Sequence, residues 1–379
     1  MPLDERNDMN KFRKKRNRDK LAVRGVIFLV VMVVVILIAA NWKTLISPLK
    51  DFMLNPGEGG FPVSLPGSTR YVMGELGENF YLLTDTYLYT YNAVGAELSS
   101  FQHGFQNPAA NSNDRRTLVF DKNGLEIKMF SRTSELFSKT MDDSIVFAQM
   151  GTAERSAVVT TSSRYSNYLY IFNGEGRQIF RWASPDEKIM QVCFGSNDNS
   201  LFVTTVGESG GDLRTSVVRF DIDNAESETW RTALGNDISF SLERCDDGIY
   251  IVTSGGAYLL GEQTGEITAE TAFSRQVTGI AQTDGARIIL FHDAGSNGET
   301  AVAFGEALEV SAAITPDNME AFDVCSGRLY VLGGSKLTVY NSMLEAVRVH
   351  DLDDVYSDVK IINNYAYLLG YNTVQRIEL

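Results

Sequence analysis

The stretch "TRYVMGELGENFYLLTDTYLYTYNAVGAELSSF", residues 69–101, decides the fold, because it holds one complete copy of a repeated four-strand pattern. A first alternating segment leads through the turn residues "GEN" (77–79) to the apolar phrase "FYLLT" (80–84). An alternating strand, "TYLYTYN" (86–92), and a more polar strand, "ELSSF" (97–101), follow. Gly and Asn tolerate the positive φ of tight hairpins, so the stretch predicts four consecutive antiparallel strands.

The apolar second-strand phrase occurs eight times, and its copies begin 37 to 48 residues apart. This spacing is typical of four-stranded propeller blades. The copies are "FYLLT" (80–84), "TLVFD" (117–121), "AVVTT" (157–161), "LFVTT" (201–205), "IYIVT" (249–253), "IILFH" (288–292), "LYVLG" (329–333) and "AYLLG" (366–370). The sequence predicts an all-β, eight-bladed β-propeller over 61–379. Seven blades is the alternative, because the second copy's first strand, near 103–111 with Pro108, is poorly patterned.

The eighth copy lacks a fourth strand, since "NTVQRIE" (372–378) supplies only its third. An unassigned apolar segment, "FPVSL" (61–65), precedes the first copy. We expect 61–65 to complete the eighth blade, so that one blade contains both ends of the repeat region. Pro62 fits this position, because proline is tolerated on the edge strand of a sheet. The alternative is that 61–65 is part of the linker.

One N-terminal segment, "GVIFLVVMVVVILIAANW" (25–42), is uncharged and mostly aliphatic. It is slightly short for a hydrocarbon core of about 30 Å, but Arg24 and Trp42 can extend the span at its two ends. A buried core helix and a cleaved signal peptide are the alternatives. Leu37 or Ile38 at the −3 position disfavours cleavage. We therefore expect an uncleaved transmembrane signal anchor.

The charge of the chain is divided between its two ends. Residues 1–24 hold nine Lys/Arg and four Asp/Glu, whereas the remainder holds 25 and 44. The positive-inside rule then places the head in the cytoplasm and the acidic body on the extracytoplasmic side of the cell membrane. An acidic body disfavours nucleic acid as a partner. The predicted segments are a basic cytoplasmic leader (1–24), the anchor (25–42), a linker (43–60) and the propeller (61–379).

The chain resembles quinoprotein-like and WD-repeat-like propellers over 61–379. The segments "GEQTGEITAET" (261–271) and "DIDNAESETW" (221–230) are degenerate versions of the quinoprotein repeat motif. The complete layout is similar to an uncharacterised family of bacterial single-pass membrane proteins with an extracytoplasmic propeller. That resemblance implies a fold and a membrane location, but no assigned activity.

Quinoprotein dehydrogenases hold a quinone and calcium with stacking tryptophans and often vicinal cysteines. Here Trp182 and Trp230 fall on predicted outer strands, and the cysteines are far apart in the sequence. The sequence therefore predicts neither a cofactor nor a metal site. The motif G-x-S-x-G in "GESGG" (207–211) needs a strand-to-helix turn to act as a nucleophile elbow, and this chain predicts a loop between strands there. No catalytic residue is assigned.

Three second-to-third-strand loops are long, and in a propeller these loops emerge on one face. They are "SSRYSNY" (162–168), "VGESGGDLRTS" (206–216) and "HDAGSNGET" (292–300). Long loops on a rigid scaffold often carry binding residues, and Tyr and Arg are enriched at recognition hot spots. The candidate partner-binding residues are Arg164, Tyr165, Tyr168, Arg214 and His292. Ordinary surface variation is the alternative explanation.

Two functional hypotheses follow from these observations. The favoured one is a membrane-anchored, non-enzymatic binding or scaffolding module at the cell envelope, with a protein or cell-wall partner. The other is an envelope enzyme, a lyase or hydrolase, acting on carbohydrate or cell-wall material. Such an enzyme needs carboxylates, or His, Tyr and Arg, that converge on the mouth of the channel.

Overall fold

The computed structural model describes residues 28–36, 59–224, 227–283, 286–292 and 298–379. The chain divides into two compact units, Met1–Leu54 and Asn55–Leu379. In the first unit, the described residues 28–36 are helical. Among the described residues, no helix has both the length and the apolar character needed to cross a membrane. The predicted leader, most of the predicted anchor and most of the predicted linker lie outside the described residues.

The described residues of the second unit form eight four-stranded antiparallel sheets, which are the blades of a propeller. Blade 1 contains β2 (Val72–Leu76), β3 (Asn79–Leu83), β4 (Tyr87–Tyr91) and β5 (Glu97–Gln102). Blade 2 contains β6 (Pro108–Ser112), β7 (Arg116–Asp121), β8 (Glu126–Ser131) and β9 (Glu135–Thr140). Blade 3 contains β10 (Ile145–Met150), β11 (Ser156–Thr160), β12 (Asn167–Phe172) and β13 (Gln178–Ser184). Blade 4 contains β14 (Lys188–Phe194), β15 (Ser200–Ser209), β16 (Asp212–Asp221) and β17 (Trp230–Gly235), with a 3-10 turn at Ile222–Asn224.

The remaining four blades follow the same order. Blade 5 contains β18 (Ser239–Cys245), β19 (Gly248–Thr253), β20 (Gly256–Leu260) and β21 (Ile267–Ala272). Blade 6 contains β22 (Val277–Thr283), β23 (Ala286–His292), β24 (Glu299–Phe304) and β25 (Val310–Ile314). Blade 7 contains β26 (Ala321–Cys325), β27 (Arg328–Gly333), β28 (Lys336–Tyr340) and β29 (Ala346–Asp351). Blade 8 contains β30 (Asp358–Ile362), β31 (Tyr365–Leu369), β32 (Thr373–Glu378) and, as its outer strand, β1 (Val63–Ser64).

The prediction of eight blades is confirmed, and the alternative of seven is wrong. The poorly patterned segment near 103–111 does supply the first strand of blade 2, which begins at Pro108. Proline is tolerated at the first residue of a strand. The amide of the preceding residue, Asn107, donates to the Asp121 carboxylate at 2.8 Å instead of to the ladder.

First strands of neighbouring blades contact one another, as β14 does with β18, β26 with β30 and, across the closure, β2 with β30. The first strands therefore line a central channel, and the fourth strands form the outer rim. The described residues contain one hydrophobic cluster at each of the eight interfaces between blades. In the phrase "IYIVT", Ile249 and Ile251 pack towards blade 4 and Tyr250 and Val252 towards blade 6. Burial on both faces explains why the second strand is apolar throughout.

The antiparallel order gives every blade two different ends. One end carries the loops between second and third strands and the connections to the next blade, and we call it the loop face. The other end carries the turns between first and second and between third and fourth strands, and we call it the turn face.

The predicted closure of the ring is confirmed. In β1, Val63 pairs with Val374 and Ser64 with Thr373 of β32. The Leu65 amide extends the ladder by donating to the Asn372 carbonyl at 2.9 Å. The strand is shorter than the predicted 61–65, because the chain leaves the ladder before Val63.

Phe61 packs into an aromatic group at the seam between blades 8 and 1. Its ring centroid lies 5.8 Å from that of Tyr367 and 6.3 Å from that of Phe80. The Arg376 guanidinium lies 4.9 Å from the Phe61 ring centroid. Aromatic pairs and cation–π contacts of this kind stabilise beyond the burial of apolar area. Phe61 therefore contributes to closure through packing rather than through ladder hydrogen bonds.

The closure generates a stability prediction. Val63 is 8% exposed, whereas Val347, on the outer strand of blade 7, is 53% exposed. Val63→Asp places an unpaired carboxylate in the seam, and we expect it to lower the free energy of unfolding by about 2–4 kcal/mol. Val347→Asp is the matched control, with an expected change within about 0.5 kcal/mol. Urea unfolding measures both, and equal effects would contradict the closure.

Candidate functional site

Three of the five candidate residues lie together on blade 3. The Arg164 guanidinium lies 5.4 Å from the Tyr165 ring centroid, and the rings of Tyr165 and Tyr168 meet edge to face at 5.4 Å. Arg181 of the neighbouring strand β13 lies 4.1 Å from the Tyr168 ring centroid and 5.5 Å from that of Tyr170. Arg164 is exposed, and Tyr165 and Tyr168 are half-buried. We call these five residues the blade 3 stack.

Arg214 lies in a strand, and the prediction of a loop over 206–216 is wrong. Strands β15 and β16 pair without interruption to Ser209 and Asp212. Gly210 and Gly211 have φ values of +69° and +93°, which allow a two-residue turn and let the ladder continue. The long segment is therefore a hairpin that extends the loop face of blade 4.

Arg214 is exposed on this hairpin and contributes to the electrostatics of Glu187 at its base. Burial alone would raise the pKa of Glu187. The pKa is nevertheless below its usual value, because Thr205 and Arg231 donate hydrogen bonds to the carboxylate and the positive charges of Arg231 and Arg214 lie near it. The Arg231 guanidinium lies 2.6 Å from the Glu187 carboxylate. These contacts fix the hairpin base to the preceding connection between blades.

His292 is the last residue of β23 in blade 6, and its side chain is exposed. The following residues, 293–297, lie outside the described part of the chain. The five predicted residues thus occupy blades 3, 4 and 6. Among the described contacts, only those of Arg164, Tyr165 and Tyr168 join members of the set.

The turn face is occupied by hydrogen bonds between neighbouring blades. The carboxylate of Asp198, which is 1% exposed, accepts the amides of Thr152 and Ala153 at 2.9 Å each. The Asn113 side-chain amide donates to the carbonyls of Gly151 and Ala153, also at 2.9 Å. The turns of blades 2, 3 and 4 are thereby joined by hydrogen bonds between side chain and backbone.

A cavity of about 400 Å³ opens along the channel wall formed by blades 8, 1 and 2. A Cβ at Gly74 would lie 2.2–2.4 Å from ring atoms of Tyr81, so the Tyr81 ring occupies the space that a larger side chain would need. The Ser112 hydroxyl on the next blade donates to the Glu75 carbonyl at 2.7 Å. The cavity is also lined by Glu75, Asn111, Asp114 and Lys360.

The charged groups of this wall form a connected set. The Lys360 ammonium lies 2.8 Å from one oxygen of Asp323, and the other oxygen accepts the Ile361 amide at 2.7 Å. Burial raises the pKa of Glu75; Lys360 opposes this rise, and Asp323 and Asp114 add to it. Burial likewise raises the pKa of Asp358, with Asp323 adding and Lys360 opposing. One cation therefore serves several carboxylates.

This channel group was not predicted from the sequence. A regular spacing in the sequence could have located it. In five blades, the inner-strand residue at the level of Lys360 lies seven positions before the second residue of the apolar phrase. Those residues are Gly74, Asn111, Glu243, Asp323 and Lys360. Glu75, Tyr81 and Lys360 line the cavity on the channel wall, and the enzyme hypothesis stays a prediction. In the described ranges, no group of three or more His, Cys, Asp or Glu could hold a metal ion.

The raised pKa of Glu75 predicts a pH-dependent effect of its removal. The folded chain holds this proton more tightly than the unfolded chain, so the free energy of unfolding falls as the pH rises from about 4.5 through the raised value. Glu75→Gln removes this loss. We expect the melting temperature of Glu75→Gln, relative to the unsubstituted protein, to be higher at pH 7 than at pH 4. Glu78→Gln, on the adjacent exposed turn, is the matched control, and a relative decrease towards pH 7 would contradict the assignment.

Comparison with solved structures shows the same architecture at low sequence identity. BamB from Moraxella catarrhalis matches with a TM-score of 0.58 at 13% identity, covering 83% of this chain and 97% of that chain. Saccharomyces cerevisiae Sqt1 matches with a TM-score of 0.63 at 10% identity, covering 86% and 100%. The C-terminal WD40 domain of Sif2 gives a TM-score of 0.59 at 10% identity, covering 84% and 99%. At these identities the likeness shows the fold alone.

Sequence comparison identifies the family. No protein with a curated description matches the chain. A match to a family of unknown function, DUF5711, extends over residues 67–304, from just before blade 1 into blade 6. This match covers more than half of the 379 residues, and the chain belongs to the DUF5711 family.

Proposed function

We propose that this protein is a membrane-anchored binding or scaffolding module whose propeller is displayed on the extracytoplasmic side of the cell membrane. The anchor is supported by residues 28–36, where all nine side chains are apolar and each is at least 45% exposed. Burying one such side chain away from water is worth about 1.5–3 kcal/mol, so a lipid environment would stabilise this helix. The basic residues before it support a cytoplasmic N-terminus.

The observation that carries the binding role is the difference between the two faces of the propeller. The turn face uses its polar groups for bonds between blades, as at Asp198 and Asn113. The loop face presents the blade 3 stack and the extended hairpin of blade 4 with exposed Arg214. Rigid, partly exposed Tyr and Arg side chains are the types that dominate recognition energies. The loop face is therefore the proposed binding surface.

The partner class follows from charge and location. The chain carries 48 Asp/Glu against 34 Lys/Arg, which disfavours polyanions such as nucleic acid. A protein or cell-wall component outside the membrane fits both the acidic body and the displayed loop face. This binding role requires no chemical step.

The test is crosslinking in intact cells with a membrane-impermeant, lysine-reactive crosslinker. The unsubstituted protein is expected to give an adduct with its partner. Arg164→Ala/Arg214→Ala should reduce the adduct by about tenfold, as expected for loss of hot-spot residues. The matched control is Arg115→Ala/Arg177→Ala, which removes two exposed arginines from the turn face and should leave the adduct unchanged.

Two outcomes contradict different parts of the proposal. A body that does not react with the crosslinker in intact cells, but reacts after lysis, means that display on the outer side is wrong. An adduct reduced equally by both double variants, or by neither, means that the loop face is not the binding surface.

A further inference from the structure

Four consecutive inner strands carry a β-bulge at the same height in the channel. The ladder shifts by one residue in β10, β14, β18 and β22, the inner strands of blades 3 to 6. The extra residues are Val146, Met190, Phe240 and Thr278. Each lies three positions before the residue at the level of Lys360 in its blade, which is Gln149, Cys193, Glu243 or Ala281. These four residues are equivalent to Lys360 because each pairs with a second-strand residue that packs towards the next blade, as Tyr367 opposite Lys360 does. The inner strands of blades 7, 8, 1 and 2 pair without any shift.

The bulges alter the loop-face mouth of the channel. Each inner strand is covered on both faces by the neighbouring blades, so solvent reaches it only from the channel or its mouths. A bulge redirects a side chain and locally ends regular pairing, and bulges are frequent beside binding sites. Phe240 is 45% exposed and Ile238, just before β18, is 41% exposed. Val146 and Met190 are half-buried, and Val146 also packs against the cluster between blades 3 and 4, so Phe240 is the most exposed of the three. We call Val146, Met190 and Phe240 the apolar arc.

The opposite half of the channel is charged. In a ring of eight blades, blades 7, 8 and 1 face blades 3, 4 and 5. They contribute Asp323, Asp358 and Glu75, with Lys360 as the cation between them. Lys360 and Asp323 lie three residues deeper than the bulges, which is about 10 Å along a strand. The channel thus combines an apolar arc at its mouth with a net negative wall further inside.

We propose that the channel receives a segment of a partner protein that places an apolar side chain against the apolar arc and a Lys or Arg against the carboxylates below. This inference rests on the proposed binding function and adds the site and the ligand class to it. An extended peptide suits the channel, because the channel-facing edges of the inner strands offer backbone N–H and C=O groups for pairing. The negative charge of the wall attracts a basic side chain and repels an acidic one.

The test measures binding of three fluorescein-labelled octapeptides to the full chain in phosphatidylcholine nanodiscs by fluorescence anisotropy. The peptides alternate Lys with Phe, Glu with Phe, and Lys with Ser, so that each control lacks one of the two required features. Empty nanodiscs correct for binding to lipid. Phe240→Ser is paired with Val310→Ser, which removes a 62% exposed side chain from an outer strand. Glu75→Gln is paired with Glu135→Gln at an exposed position of β9.

The Lys–Phe peptide is expected to bind at least about tenfold more tightly than either control peptide. Phe240→Ser and Glu75→Gln should each weaken its binding by about tenfold, and Val310→Ser and Glu135→Gln should leave it unchanged. The channel site would be overturned by equal binding of all three peptides or by no binding of the Lys–Phe peptide. It would also be overturned if the two substitutions of either pair had equal effects on binding. None of these results alters the crosslinking test of the loop face, so the two proposals fail separately.

Discussion

The pairing of Val63 and Ser64 with Val374 and Thr373 completes blade 8 with a strand that precedes blade 1, and so joins the two ends of the ring. A propeller is stable when every blade packs between two neighbours, and an open ring would expose the apolar faces of its two terminal blades. Two ladder pairs are few for this task. The aromatic group around Phe61 and the cation–π contact of Arg376 supply the additional packing that holds blade 8 against blade 1.

Closure also leaves the propeller with two faces of different structure. On the turn face, short turns approach one another, and side chains such as Asp198 bond across to the next blade. On the loop face, the connections are free to lengthen, as the hairpin of blade 4 shows. β-Bulges occur in the inner strands of blades 3 to 6, and the Lys360–Asp323 ion pair lies in the opposite arc of the channel. Under the proposed binding role, this asymmetry of the channel would set the orientation of the partner.

The sequence was sufficient to predict the blades and their closure. The blades follow from an apolar strand that is repeated in every copy, and the closure follows from one unassigned strand before the first copy and one strand missing from the eighth. The sequence did not predict the hairpin at Arg214. There Gly210 and Gly211, two successive residues with positive φ, form a tight turn, so the two strands stay paired where a loop was predicted. It also did not identify the channel group, because Glu75 and Lys360 meet only after the ring closes. The bulges were not predicted either, because they lie in the first strands and the repeated apolar phrase covers only the second strands.

The most direct test of the account is a disulfide across the closure, in a full chain whose native cysteines, Cys193, Cys245 and Cys325, are replaced by alanine. Directly opposite residues of an antiparallel pair have Cα atoms about 4.5–5.5 Å apart, which a disulfide can bridge. Val63→Cys with Val374→Cys should therefore form a disulfide under mild oxidation, detected as a mobility change reversed by reductant. Val63→Cys with Gln375→Cys, whose side chains lie on opposite faces of the sheet, should not. The reverse result, or a disulfide in neither, would contradict closure of the ring by β1 and β32.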